Sequence, residues 1–202
     1  MFTDVFDYLP IGAIIDNKVF CVHGGLSPTL HQIDDIKAIQ RVQEIPHEGP
    51  YADLMWSDPD ADNAGFSISA RGAGYIFGED VCARFLQEND MNRVYRAHQL
   101  CKDGYQILFG GSLATVWSAP NYCNRYENLA SILELDENLN EYFNMFESAP
   151  ENTRGGPEKK PDNGRDVYGS NSSDSTKRNS LASSSGSSQG RNGKSRREDF
   201  FM

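Results

Sequence analysis

The sequence predicts an α+β fold built on a β-sheet, because its apolar residues fall mostly into short strands joined by tight turns. Two strand-length apolar runs, at 106–109 and 113–117, flank Gly110, Gly111 and Ser112. Glycine readily takes the positive φ angles that a hairpin turn requires, so this stretch predicts a β-hairpin. Strands that outnumber helices and come mostly as antiparallel hairpins are typical of α+β domains.

The composition of the chain changes near residue 150. Residues 1–150 hold nearly all of the aromatic and branched apolar side chains, whereas residues 151–202 are rich in Ser, Gly and Asn. A segment of the second kind cannot bury enough apolar surface to offset the entropy of an ordered chain. We therefore predict a folded part at 1–150 and a disordered tail at 151–202.

The 202-residue chain is acidic, with a formal net charge of −10. Residues 1–150 contain 9 Lys+Arg and 22 Asp+Glu, which gives −13, and residues 151–202 contain 10 and 7, which gives +3. An acidic folded part argues against a nucleic-acid-binding surface. No apolar run approaches the roughly 18 residues that a membrane span needs, so no membrane partner is expected.

The four cysteines lie far apart, at Cys21, Cys82, Cys101 and Cys123, without the spacing of a disulfide framework. The first ten residues are acidic where a secretory signal would be basic and then apolar. These features predict a soluble protein in a reducing compartment, the cytoplasm, with the nucleus as an alternative.

The first predicted elements are a short helix and a hairpin. Apolar residues recur at the spacing of one helix face and predict a core-facing helix that ends at Pro10, formed by Phe2, Val5, Phe6 and Leu9. A chain that begins on such a face is expected to begin inside a domain. Strands at 11–15 and 18–22 then flank Asp16 and Asn17, a second hairpin signal.

The rest of the folded part predicts two more helices and further strands. Apolar residues at every third position predict a helix that ends before Pro46: Leu30, Ile33, Ile36 and Ile39. A long loop is expected from residue 49 through 59, and a helix at 78–89 with Val81, Phe85 and Leu86 facing inward. Two last strands, at 128–135 and 141–147, are joined by a turn at 136–138.

His23 and His98 each follow a predicted strand, where side chains at loop starts often form sites. Neutral imidazole is the commonest transition-metal ligand, but each histidine taken alone is better explained as an ordinary, partly buried one. A zinc site that combines them with Cys21 and Cys101 is another alternative, although the spacing fits structural zinc motifs poorly. Arg71 lies among small residues and is either a surface loop arginine or a fork for phosphate.

A family resemblance follows from the strings FTDVFDYLPIGAIIDNKVFCVHGGLSP, LMWSDPD, SARGAGYIFGED, YRAHQL and TVWSAPNYC. They closely resemble the second half of the catalytic subunit of serine/threonine phosphoprotein phosphatases, in the type 2A-like group. The resemblance covers roughly residues 2–150. Within the group, some strings resemble type 4 phosphatases and QLCKDGYQILF resembles a fungal branch, so both assignments stay open.

This resemblance implies a β-sandwich flanked by helices and a hydrolase that removes phosphate from phosphoserine and phosphothreonine. Two divalent metal ions of the Mn, Fe or Zn class would activate a hydroxide that attacks phosphorus. By motif, His23 and His98 resemble metal ligands, Arg71 the phosphate-binding arginine, and Tyr122 the tyrosine that lines the phosphate pocket. The implied partners are phosphoprotein substrates and regulatory or scaffold subunits.

The family's motifs GDxHG, GDxVDRG and GNHE do not occur in this sequence. They supply the remaining metal ligands and the general-acid histidine, so no residue is assigned here as a general acid. Two histidines leave most of a coordination sphere unfilled, and we expect weak metal binding and little activity from this chain alone. The alternative hypothesis is an inactive, truncated phosphatase that acts as a binding module.

Overall fold

The computed structural model describes residues 2–150, so the tail predicted at 151–202 lies outside the described residues. The α-helices of this part are α1 (Phe2–Phe6), α2 (Pro50–Trp56) and α3 (Glu79–Glu88), and short 3-10 helices cover Ile33–Ala38, Phe109–Gly111 and Tyr122–Asn124. The strands are β1 (Gly12–Ile15), β2 (Val19–Val22), β3 (Asp58–Pro59), β4 (Phe66–Ile68), β5 (Tyr75–Phe77), β6 (Arg93–Arg96), β7 (Tyr105–Leu108), β8 (Leu113–Val116), β9 (Ala130–Leu135) and β10 (Glu141–Phe146).

A five-stranded sheet in the order β1-β2-β6-β8-β7 forms the centre of the fold. The hairpin β1–β2 turns through Asp16 and Asn17, whose φ angles of 48° and 51° are both positive, and the N–H of Lys18 donates to the Ile15 carbonyl across this turn at 3.0 Å. The hairpin β7–β8 turns through Gly110, with a φ of 59°. Both hairpins predicted from the sequence are therefore confirmed.

The middle of this sheet is parallel, since β2 pairs with β6 and β6 pairs with β8 in the same direction. Parallel neighbours need a long connection, and α2 and α3 lie in the connection between β2 and β6. Pairing between strands so distant in sequence leaves no local pattern. The α+β class is confirmed, with a parallel centre that the hairpin signals do not reveal.

The two faces of the sheet are covered by different elements. Side chains alternate along the strands, so that Phe20 and Val94 pack with Phe85 of α3, whereas Val19 and Tyr95 face the opposite side. On that opposite side lie Leu133, Leu135 and Phe143, which come from the two-stranded ribbon β9–β10. The described part thus has three layers: helices, central sheet and ribbon. Among residues 2–150, no helix has the length and apolar character to cross a membrane.

The prediction of a long loop over 49–59 is wrong, because this stretch contains α2 and β3. Pro50 occupies the first turn of α2, where its missing N–H costs nothing. With 7 residues, α2 makes barely two turns, too few to give a clear apolar period. A small sheet, in the order β3-β5-β4, follows it.

Two predicted helices differ from their predictions. The stretch with apolar residues at every third position forms a 3-10 helix at Ile33–Ala38, and that spacing matches three residues per turn. Helix α1 ends at Phe6 rather than Pro10, and the apolar residues predicted to face the core are exposed, from 56% at Leu9 to 79% at Phe2. Helix α3 agrees with its prediction, with Val81 and Phe85 buried.

Candidate functional site

His23 and His98 lie side by side at one edge of the central sheet. His23 directly follows β2, and His98 follows β6 after Ala97. The carboxyl ends of these two adjacent parallel strands meet at that edge. The N–H of Ala97 donates to the His23 carbonyl at 3.0 Å, which ties the two segments together. Nε2 of His23 lies 3.1 Å from Nδ1 of His98. The structure thus places side by side the two histidines that the resemblance assigns to a metal ion.

His98 has an unusual conformation and surroundings. Its φ of 65° is in the left-handed region, which is uncommon for residues with a side chain and is often found at functional sites. The Trp56 ring and the imidazole pack in a T-shaped arrangement, with centroids 5.5 Å apart and planes at 89°. Within residues 2–150, the buried Nε2 atom of His98 has no hydrogen-bond partner. A buried polar atom without a partner is rare and often belongs to a ligand site.

The electrostatics of the site keep both imidazoles neutral. Burial is the main cause that lowers the pKa of His98, to about 4, and the positive charge of Arg71 is the second cause. Burial, followed by the charge of Arg96, lowers the pKa of His23 as well. A metal ion binds the neutral form of imidazole, so both side chains are ready to act as ligands at neutral pH.

Arg71 lies in the connection between β4 and β5, close enough for its charge to act on both histidines. Its Nε donates to Oδ2 of Asp58 at 2.5 Å, and its side chain is 30% exposed. In the described part of the chain, Nη1 and Nη2 of Arg71 make no hydrogen bond with protein. The planar fork of these two groups matches the geometry of a phosphate.

Tyr122 lies on the loop that leaves β8. Its ring meets the edge of Trp117 at a centroid distance of 4.9 Å, and its N–H donates to Oδ1 of the buried Asn128 at 2.9 Å. No hydrogen bond or ring contact within residues 2–150 joins Tyr122 to His23, His98 or Arg71. The structure therefore brings His23, His98 and Arg71 into one cluster, whereas the ring contacts of Tyr122 are with Trp117 and Tyr126.

Three further residues shape the site and were missed by the sequence analysis: Trp56, Asp58 and Arg96. Asp58 binds Arg71 from one side and the buried Arg96 from the other, with Arg96 Nη2 at 2.8 Å from Asp58 Oδ1. The sequence feature that could have indicated this ion pair is Arg96 itself, a charged residue that ends an apolar strand directly before Ala97 and His98. A charge in such a position is expected to have a buried partner.

The two histidines fit a shared metal ion. Metal–nitrogen distances are about 2.0–2.1 Å for ions such as zinc, so two nitrogens 3.1 Å apart can both reach one ion. Among residues 2–150, no group of three or more His, Cys, Asp or Glu side chains is arranged to hold an ion. The described residues thus offer two ligands.

The alternative zinc site is wrong, because Cys21 and Cys101 do not join the histidines in a metal-binding group. The thiol of Cys101 is buried and donates to the Gln99 carbonyl at 3.6 Å, while Cys21 is half-buried in β2. The other two histidines, His31 and His47, are exposed.

Comparison with known proteins identifies the family of this chain. The profile of the calcineurin-like phosphoesterase family matches residues 1–102. A protein phosphatase 2A catalytic subunit from Dictyostelium discoideum is 57% identical over 156 residues, which cover 77% of this chain and 50% of that protein.

A similar solved structure is a protein serine/threonine phosphatase from Saccharomyces cerevisiae described as similar to human phosphatase PP5. It superposes with a TM-score of 0.68 at 32% identity, over 75% of this chain and 51% of that one. The chain therefore spans about half the length of these relatives. The family profile covers half of the chain and the identity is high, so this protein belongs to the calcineurin-like phosphoesterase family, in the type 2A-like group of serine/threonine phosphatases.

Proposed function

We propose that this chain supplies one half of the active site of a protein serine/threonine phosphatase. The observation that supports this most strongly is the pair of neutral imidazoles, 3.1 Å apart at a sheet edge, with an arginine fork beside them. Metal ligands next to a phosphate-binding cation are what hydrolysis of a phosphate ester requires. The substrates would be phosphoserine and phosphothreonine in proteins.

His23 and His98 would hold one divalent ion, of the manganese, iron or zinc class, in a site of two ions. Bound there, the ions would activate water and neutralise charge on the phosphoryl group. The protein's own contribution is to keep both imidazoles neutral, since burial lowers the pKa of each. The unusual backbone of His98 and the packing of Trp56 fix the direction of its ring.

Arg71 would bind the phosphate through Nη1 and Nη2, because its Nε is already engaged by Asp58. This local positive charge lets a phosphate ester approach a folded part whose formal charge is −13, from 9 Lys+Arg and 22 Asp+Glu. Tyr122 would line the same pocket from the loop after β8.

Regulatory or scaffold subunits would be the protein partners, in the cytoplasm or the nucleus.

A chimeric enzyme tests this proposal. The half of the Dictyostelium protein that aligns with this chain is replaced by residues 1–150, and release of phosphate from a phosphoserine peptide is measured with Mn²⁺. We expect metal-dependent hydrolysis that falls at least about a hundredfold in His98→Ala and in Arg71→Ala, as is usual when a group that stabilises the transition state is lost. The exposed His31 provides the matched control, and His31→Ala is expected to retain activity.

The alternative is a binding module without activity. It is favoured by one observation, that residues 2–150 offer two metal ligands and no group of three. A chimera that folds, as judged by circular dichroism, but hydrolyses nothing would contradict the phosphatase proposal. Retained binding of the phosphopeptide by such a chimera would then support the binding module.

A further inference from the structure

Arg96 lies beneath the candidate site and connects the segments that carry its histidines. Its side chain is fully buried. Its Nε donates to the carbonyl of Gly24, the residue after His23, at 2.6 Å. Its Nη1 donates to Oε1 of Gln99, the residue after His98, at 2.8 Å. One guanidinium group therefore fastens both histidine-bearing segments.

Asp58 extends this network to Arg71. Its Oδ1 accepts from Nη2 of Arg96 at 2.8 Å, and its Oδ2 accepts from Nε of Arg71 at 2.5 Å. Nη2 of Arg96 also donates to the Ser57 carbonyl at 3.2 Å, which fixes the backbone beside Asp58. The carboxylate thus binds the one N–H of Arg71 that a two-point contact through Nη1 and Nη2 does not use.

The different exposure of the two arginines gives them different roles. Arg96 is fully buried and carries a guanidinium, which does not deprotonate in proteins, so its contact with Asp58 is an ion pair inside the protein. Charge-assisted hydrogen bonds of this kind are strong and geometrically specific. Arg71 is partly exposed, and a long side chain that is free to rotate loses entropy when it binds a ligand. Holding Arg71 in advance reduces that loss.

We propose that Asp58, anchored by Arg96, is a positioning residue that holds the guanidinium of Arg71 ready for phosphate. This inference rests on the proposed function, since it takes Arg71 to be the group that contacts phosphate. Loss of the Asp58 charge removes one charge-assisted hydrogen bond from Arg71. Such a loss corresponds to about a tenfold weaker affinity for phosphate.

The hold on Arg71 is measured directly by NMR of arginine Nε–Hε groups in the ¹⁵N-labelled chain. The Arg71 signal is assigned by its absence in Arg71→Lys. In the unmodified chain we expect Hε of Arg71 to exchange with water about tenfold more slowly than that of a free arginine. Exchange at the rate of free arginine would overturn the proposal. This measurement uses the unmodified chain, so it does not depend on whether a variant at Asp58 folds.

Asp58→Asn keeps the shape of the side chain and removes its charge. We expect Hε of Arg71 to exchange about tenfold faster in this variant, and inorganic phosphate, titrated into the chain, to bind about tenfold more weakly. The matched control is Glu141→Gln, which also replaces a carboxylate by an amide. Oε1 of Glu141 lies 2.8 Å from Nη1 of Arg93 in a separate ion pair. It should leave both readouts of Arg71 unchanged.

Two comparisons separate the possible outcomes. If Arg71→Ala does not weaken phosphate binding, the role of Arg71 in the proposed function fails. If Arg71→Ala weakens it but Asp58→Asn does not, only the positioning role of Asp58 fails. The affinity of the histidines for Mn²⁺ should change less than about twofold in Asp58→Asn. If this variant loses Mn²⁺ affinity and phosphate affinity equally, Asp58 has only a structural role and the proposal is overturned.

Discussion

Replacing Gly24 with alanine should destabilise the protein because the backbone of α2 leaves no room for a side chain. A Cβ at this position would lie 2.5 Å from the carbonyl carbon of Met55, 2.6 Å from its oxygen and 2.7 Å from the nitrogen of Trp56. All three are main-chain atoms, so no rotation of a side chain can relieve the contact. The Gly24 carbonyl also accepts the 2.6 Å hydrogen bond from Arg96, which a shift of the loop would lengthen.

We expect Gly24→Ala to lower the free energy of unfolding by about 3 kcal/mol, the upper end of the usual range for overpacking. Gly110→Ala provides the comparison, because Gly110 has a φ of 59° and no atom within 4 Å of an added Cβ. Backbone strain alone should cost this second variant about 1 kcal/mol. Urea unfolding followed by tryptophan fluorescence measures both values. A Gly24→Ala variant as stable as the unmodified chain would refute the close packing of this loop on α2.

Two further predictions concern the stability of the fold. Tyr95→Phe removes the hydrogen bond to the Glu141 carboxylate and should lower the free energy of unfolding, measured in urea, by about 1.5–3 kcal/mol. The control Tyr142→Phe, at an exposed site, should change this free energy by less than about 0.5 kcal/mol. Similar losses in both variants would argue against the Tyr95–Glu141 hydrogen bond. Burial raises the pKa of Asp53 above 3.8, so the stability that its protonated form provides at low pH is lost as the pH rises through the raised value. Unfolding followed from about pH 4 to 7 should therefore show Asp53→Asn gaining stability relative to the unmodified chain, and a constant difference would contradict this.

Local sequence signals were sufficient for elements that depend on neighbours in the chain. The Asp16–Asn17 turn and the Gly110 turn predicted their hairpins because these residues accept positive φ angles. Helix α3 was predicted because its 10 residues give almost three turns of apolar periodicity. Helix α2 was missed because it is too short to give that signal. The parallel pairing of β2 with β6 was missed because it joins residues about seventy positions apart.

The candidate site was predictable to a similar extent. His23, His98 and Arg71 are candidates by residue type, since metal ligands and a phosphate fork have recognisable chemistry, and the family resemblance is what assigns them to the site. Asp58 and Arg96 are not identified in this way, because packing creates their buried ion pair. The charge of Arg96 at the end of an apolar strand indicates a buried partner but does not say which residue that partner is. Tyr122 was predicted for the same pocket by resemblance, and its place there remains a prediction.

The central claim is that His23 and His98 hold a divalent metal ion together, and Mn²⁺ titration followed by NMR of the histidine ring signals tests it most directly. Paramagnetic Mn²⁺ broadens the signals of nearby nuclei even when it binds weakly, so the two-ligand site of this chain is within reach. We expect His23 and His98 to broaden first, His31 and His47 at the surface to broaden little, and the effect to disappear in both His23→Ala and His98→Ala. Equal broadening of all four histidines, or broadening of His23 that survives His98→Ala, would contradict the shared metal site.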